Sequence, residues 1–197
     1  MLKKHMKHLA PVLLALTLAG CAGSDNSAGQ ADYLLPESPA AEQYSARLSV
    51  MVAPLDTAAF LDSDGVVMQI SSIEVHQARN HLWAEPLPAQ LRQLLIHRLQ
   101  SALPESQIIQ RGQPQHALPV REVRLRLDRF QGHYDGVALI RGHWQILDQE
   151  KKLLKQRAFS IESPLRADGY PELVRALAAG WEQLADELAS TLNEIPG

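Results

Sequence analysis

Val123-Arg124-Leu125-Arg126-Leu127 alternates apolar and basic side chains without a break. Successive side chains of an extended chain point to opposite faces, so Val123, Leu125 and Leu127 share one face and the two arginines the other. That is the period of a half-buried strand. Downstream, Val137 to Leu147 and Leu153 to Ile161 predict a hairpin across Asp148-Gln149-Glu150-Lys151. After it the period changes. Leu173, Leu177, Trp181, Leu184, Leu188 and Leu192 recur at helical spacing, Pro171 suits the first turn, and Pro196 lies beyond.

Upstream the same two periods recur. Leu87, Leu91, Leu94, Leu95, Leu99, Ala102 and Leu103 form the stripe of a first helix opened by Pro88 and closed by Pro104. Leu48, Val50 and Val52 alternate with Ser49, Met51 and Ala53 and predict a strand that Pro54 ends. Val66, Met68 and Ile70 share one face, and Ile73 and Val75 continue after Ser71-Ser72, which implies a tight hairpin. Tyr33-Leu34-Leu35 and Gln107 to Gln110 read as short strands, with a loop from Pro36 to Tyr44. Strands, helix, strands, helix, with hairpins between neighbours, is an α+β order. It predicts a single domain with a mixed or mostly antiparallel sheet and two main helices packed on one face.

The N-terminal end carries a different signal. Lys3, Lys4 and Lys7 precede an apolar stretch from Leu9 to Leu18 that is too short to span a bilayer. Leu18-Ala19-Gly20 then leads into Cys21, which no other cysteine accompanies. This is the pattern of a bacterial lipoprotein signal: residues 1–20 are removed, and Cys21 receives diacylglycerol and an N-acyl chain. A simple secretory signal with an incidental cysteine is the competing reading. Each buried methylene adds about 0.8 kcal/mol, so several long chains on one residue would hold the protein on a membrane. Ala22, not Asp, follows the cysteine, so the usual inner-membrane retention signal is absent and the outer membrane is expected. Residues 21–31 are small and polar, a flexible tether, and 32–197 form the domain.

Removing residues 1–20, with three lysines and no acid, takes the formal net charge from −3 to −6. An acidic balance argues against nucleic acid, whose phosphates call for clustered Lys and Arg. With Cys21 acylated no thiol remains for a disulfide, so burial has to supply the stability. Catalytic motifs are absent: no G-x-S-x-G, no phosphate loop, no H-E-x-x-H and no G-x-G-x-x-G. His76, His81, His97, His116, His133 and His143 are scattered, and only His133 and His143, flanking a turn, have a chance of meeting across strands. Asp62-Ser63-Asp64-Gly65 has the look of a calcium loop, but the required first acid falls at Phe60, which leaves a turn. No metal site is expected, and no cofactor beyond the covalent lipid on Cys21.

Three clusters stand out in order: Leu82-Trp83-Ala84-Glu85-Pro86-Leu87, Phe130-Gln131-Gly132-His133-Tyr134-Asp135-Gly136, and Asp168-Gly169-Tyr170 with Leu173-Val174. With Tyr33-Leu34-Leu35-Pro36, Gly65-Val66-Val67 and Gly142-His143-Trp144, they make the chain similar to the ABC-transport auxiliary lipoprotein family. The resemblance runs through nearly the whole chain after Cys21. Where close relatives are expected to carry Arg, this chain has His133. The resemblance implies a non-enzymatic outer-membrane subunit of an MCE-type system that moves lipids across the periplasm and supports envelope integrity. Its implied partner is an MCE-domain tunnel protein, met at the tunnel's distal end, with a homo-oligomeric ring matching the tunnel's symmetry. Trp83 and Tyr134, read as loop aromatics, are the candidate partner-binding residues, with packing of Trp83 onto the start of the first helix as its competing reading. A lipid-anchored carrier with its own apolar pocket, or an envelope enzyme without a recognisable motif, are the alternatives.

Overall fold

The computed structural model describes residues 29–109 and 118–195; the predicted signal, Cys21 and most of the tether lie outside the described residues, as do 110–117. In chain order the elements are β1 (Ala31–Tyr33), β2 (Ser49–Val52), β3 (Asp56–Thr57), a 3-10 turn (Ala59–Leu61), β4 (Gly65–Gln69) and β5 (Val75–Trp83). Then follow α1 (Leu87–Ala102), β6 (Gln107–Ile109), β7 (Val120–His133), β8 (Val137–Leu147), β9 (Leu153–Pro164) and α2 (Tyr170–Glu194). The α+β class and the two main helices are as the periodicities predict.

The 14-residue β7 is the spine of a mixed sheet. Along one edge it pairs antiparallel with β8, Leu125 opposite Trp144, and β8 pairs in turn with β9. Along the other edge β2, β3 and β4 follow one another, all parallel to β7: Ser49 opposite Val120, Asp56 opposite Arg126, Met68 opposite Gly132. Beyond them the sheet divides. At one end β6 joins β2; at the other β5 joins β4 and β1 joins β5. The β4–β5 and β7–β8 turns therefore share one end of the sheet, and the β8–β9 turn lies at the opposite end.

One face of this sheet is covered. Val123, Leu125 and Leu127 of β7, Ile140, Trp144 and Ile146 of β8, and Phe159 and Ile161 of β9 are buried with Leu173, Leu177, Trp181, Leu184, Leu188 and Leu192 of α2. A register shift between Leu127 and Arg129 changes the phase of β7, so Phe130 rather than Arg129 faces the core. At Gly142 a Cβ would run into the Arg126 carbonyl, so the close approach of β8 to β7 beneath Phe159 requires glycine. Gly169, at φ 102°, turns the chain into α2 ahead of Pro171.

The second helix layer is held by polar as well as apolar contacts. Leu91, Leu95 and Leu99 of α1 are fully buried, and the Trp181 indole N–H donates to the Leu91 carbonyl at 3.0 Å. Buried Arg98 grips Asp186 of α2 with two hydrogen bonds, of 2.8 and 2.7 Å, and donates to the Ser38 and Pro39 carbonyls. The loop expected from Pro36 to Tyr44 is thus strapped along α1: Leu35 N–H donates to Gln90, Ala40 N–H to Ser101 and Tyr44 N–H to the Ala102 carbonyl.

Several boundaries differ from the sequence reading: β1 is Ala31–Tyr33, so Ala31, expected in the tether, belongs to a strand, and Leu34 and Leu35 lie beyond it. β5 continues through residues 80–83, expected as loop, because Trp83 N–H donates to the Asp64 carbonyl while β1 pairs alongside. β7 absorbs Phe130, read as part of a turn, and β9 runs on to Pro164.

Candidate functional site

Of the residues singled out from sequence, Cys21 lies outside the described residues. Trp83 is corrected. It ends β5 with 6% of its surface exposed, its ring 6.2 Å from that of Phe130, and belongs to the same core as Leu87. With β5 paired to both β4 and β1, the indole lies inward in the core beside Leu87, so Trp83 is a packing residue and not the exposed loop aromatic expected from sequence. Tyr134 stands at the tip of the β7–β8 turn, 50% exposed, its ring 4.1 Å from that of His133. The two histidines that flank the turn stay apart, in keeping with the reading of them as separate residues. His133 pairs with Val137, while His143 lies six positions further along β8 opposite Arg126, about 20 Å away.

The face of the sheet turned away from the helices is rich in arginine. Arg124, Arg126 and Arg129 of β7 and Arg141 of β8 are exposed there, with Arg129 directly opposite Arg141. Each has company. Arg124 binds Glu122 at 2.7 Å, Arg126 binds Asp56 at 2.6 Å and Asp128 at 3.2 Å, and Arg141 binds Glu162 at 3.1 Å. Arg129 lies over the Phe60 ring, 5.2 Å from its centroid. The acidic net charge therefore conceals a locally arginine-rich but largely charge-matched face. Burial alone would raise the carboxyl pKa of Glu122, but hydrogen bonds from Arg124 and Lys151 outweigh it and hold the group below the usual range. An open groove of about 470 Å³ lies on this face beside His143, Gln145 and Gln156, and two others have volumes of about 360 and 350 Å³. Charged side chains line both: Asp56, Glu122, Arg124 and Arg126 in one, and Arg129, Asp135, Arg141 and Glu162 in the other.

The end of the sheet that carries the two turns is different in kind. Ile70 and Val75 flank the β4–β5 turn and are about half exposed; Ile73, within it, is 95% exposed. Gln69 is paired with both Val75 and His133, which sets this turn beside the one bearing Tyr134. Four large apolar side chains thus crowd one end of the domain. Sequence reasoning placed the isoleucines and Val75 on strand faces; Ser71-Ser72 before an isoleucine was the available sign that one of them caps a turn.

Among the described residues no group of three or more His, Cys, Asp or Glu could hold a metal ion, and no helix is long and apolar enough to cross a membrane. What the geometry defines is an α+β domain whose distinctive chemistry lies on its outside: a charge-matched open face and an apolar end.

Known proteins with this chain pattern give the class a family. Residues 33–189 match the model of the ABC-type transport auxiliary lipoprotein component, and the chain belongs to that family. It is 32% identical over 196 residues to the intermembrane transport lipoprotein PqiC of Escherichia coli (strain K12), across 97% of this chain and 100% of that protein. The same figures hold for PqiC of Shigella flexneri. A crystal structure of an uncharacterized protein, 32% identical, superposes with a TM-score of 0.70 over 83% of this chain and 98% of its own. A Xanthomonas campestris protein of 17% identity shares the fold, with a TM-score of 0.70 over 82% of this chain and 95% of its own.

Proposed function

We propose that this protein is a non-enzymatic outer-membrane lipoprotein, anchored through acylated Cys21 with its domain in the periplasm. There it serves an MCE-type system that carries lipids between membranes. It docks as a homo-oligomer at the distal end of a PqiB-like MCE tunnel protein and so supports the integrity of the envelope. The observation that carries this reading is the family match from residue 33 to 189, joined to near-full-length identity with proteins named for intermembrane transport. The lipoprotein-type Leu18-Ala19-Gly20-Cys21 supplies the means of anchorage.

The surfaces favour an adaptor over a carrier. A carrier needs a deep apolar chamber for acyl chains, whereas the grooves on the open face are shallow, two of them lined by paired charges. The test is co-purification of the MCE-domain protein from detergent-solubilised envelopes with the tagged lipoprotein, together with cross-linking of the purified protein. Recovery of the MCE protein and cross-linked species above the monomer are expected. A protein that is strictly monomeric at high concentration excludes the ring, and one that never recovers the MCE partner excludes docking.

A further inference from the structure

Ile70, Ile73, Val75 and Tyr134 are held out into water by turns that are themselves well ordered. Ile70 N–H donates to the Glu74 carbonyl at 2.9 Å, Gln69 donates to the Ser71 carbonyl at 3.0 Å, and Gly136 N–H donates to the His133 carbonyl at 3.0 Å. A fixed turn that presents an isoleucine at 95% exposure gains nothing from burial within the fold. Single exposed apolar residues are ordinary, but a cluster at one end of a domain marks a surface that is covered in use.

The chain's own direction indicates what covers it. β5 starts at this end with Val75 and runs away from it, and β1 is parallel to β5, Ala31 opposite His81. The residue before Ala31 therefore enters from the side of the apolar end. Ala31 is level with the start of β4, because His81 neighbours Leu82, which pairs with Gly65. The five residues of β4 separate that level from the turn, roughly 17 Å. Nine residues lie between Cys21 and Ala31, and the ten chain steps that join the two span at most about 36 Å. A lipid-bearing Cys21 thus has chain enough to reach the plane of the apolar turns. Exposed Leu153 and Leu154 lie at the far end of β7, in the direction opposite to the tether.

We infer that the two turns form a foot that rests in the interface of the bilayer holding the anchor, with Ile73 and Tyr134 seated among the lipid headgroups. The foot fixes the orientation of the domain, so that the β8–β9 end points away from the membrane. Tyr134 suits such a position, having an apolar ring and a polar tip. Glu74 and Asp135 sit in the same turns, so contact comes from apolar burial and not from attraction to anionic lipid. The inference rests on anchorage at Cys21 and not on the MCE partner.

The test uses the lipidated chain on phosphatidylcholine vesicles. Acylation leaves Cys21 without a thiol, so Ile73→Cys or Leu153→Cys carries a single fluorescent label. Quenching by a lipid with a nitroxide at the headgroup should be at least threefold stronger at position 73 than at 153. In a Tyr134→Cys reporter, adding Ile73→Asp should bring quenching down toward the level at 153. Equal quenching at 73 and 153, or a Tyr134 reporter indifferent to Ile73→Asp, overturns the foot. A label at 73 that stays in water on vesicles and is shielded only when the MCE-domain protein is added also overturns it and makes the turns a protein-docking surface. A chain that does not float with the vesicles overturns anchorage and the foot together; a floating chain with its turns in water overturns the foot alone.

Discussion

Trp181 and Glu122 show how differently two buried side chains can contribute. The Trp181 indole packs edge-on against Phe130, ring centroids 6.3 Å apart, and spends its one polar hydrogen on the Leu91 carbonyl. Its removal leaves a cavity at the junction of both helices and the sheet. Trp181→Ala should cost about 3–5 kcal/mol, read as a lower denaturant midpoint at unchanged slope. Glu122 contributes through charge. Its folded pKa lies below the unfolded value of about 4.3, so the native state binds fewer protons and the contribution is complete above that value. It is lost as pH falls through the folded pKa. Glu122→Gln should therefore destabilise the protein at neutral pH, with the difference from the parent vanishing in strong acid. Chemical denaturation at several pH values measures this, and a gap that stays constant from neutral to strongly acidic pH contradicts it.

At the scale of elements, the α1–α2 joint depends on Arg98 as much as on leucines. Its guanidinium ties α1 to Asp186 on α2 and to the carbonyls of the strapped loop. Burial of the arginine side chain raises the value of these bonds, but Asp186 keeps solvent access and does not become a stranded charge when its partner is removed. Arg98→Met should cost roughly 1–3 kcal/mol, less than the Trp181 cavity. Proteolysis near Ser38 should quicken, since the loop loses the guanidinium that bonds the Ser38 hydroxyl and the Ser38 and Pro39 carbonyls. Protection of that loop from protease at the parental rate would show that the Leu35 and Tyr44 bonds suffice to hold it.

For the whole molecule the decisive residue is Cys21. Among the described residues no helix is long and apolar enough to cross a bilayer; in the reading proposed above, acylation of Cys21 retains the protein and the apolar turns orient it. Cys21→Ala should leave the domain folded and move it from the membrane fraction to the soluble fraction. Co-sedimentation of the variant with outer membrane, alongside a native circular-dichroism spectrum, would place the anchor elsewhere.

Much of this was written locally. The leucine stripes of α1 and α2, the alternation at Val123 to Leu127, the Val137–Leu147 strand and the Ser71-Ser72 turn depend on neighbours in the chain, so the sequence by itself determined them. The lipoprotein pattern ending at Cys21 is local in the same way. Tertiary structure alone decided the rest. Parallel pairing of Ser49 with Val120 and Ala31 with His81 joins residues whose backbone partners are named by no local period. The register shift after Leu127 reverses which side chains face inward, which buries Phe130 and leaves Arg129 on the open face. Trp83 and Ile73 exchanged their expected roles for that reason: periodicity tells which side chains share a face, and only the strands brought alongside decide whether that face is covered.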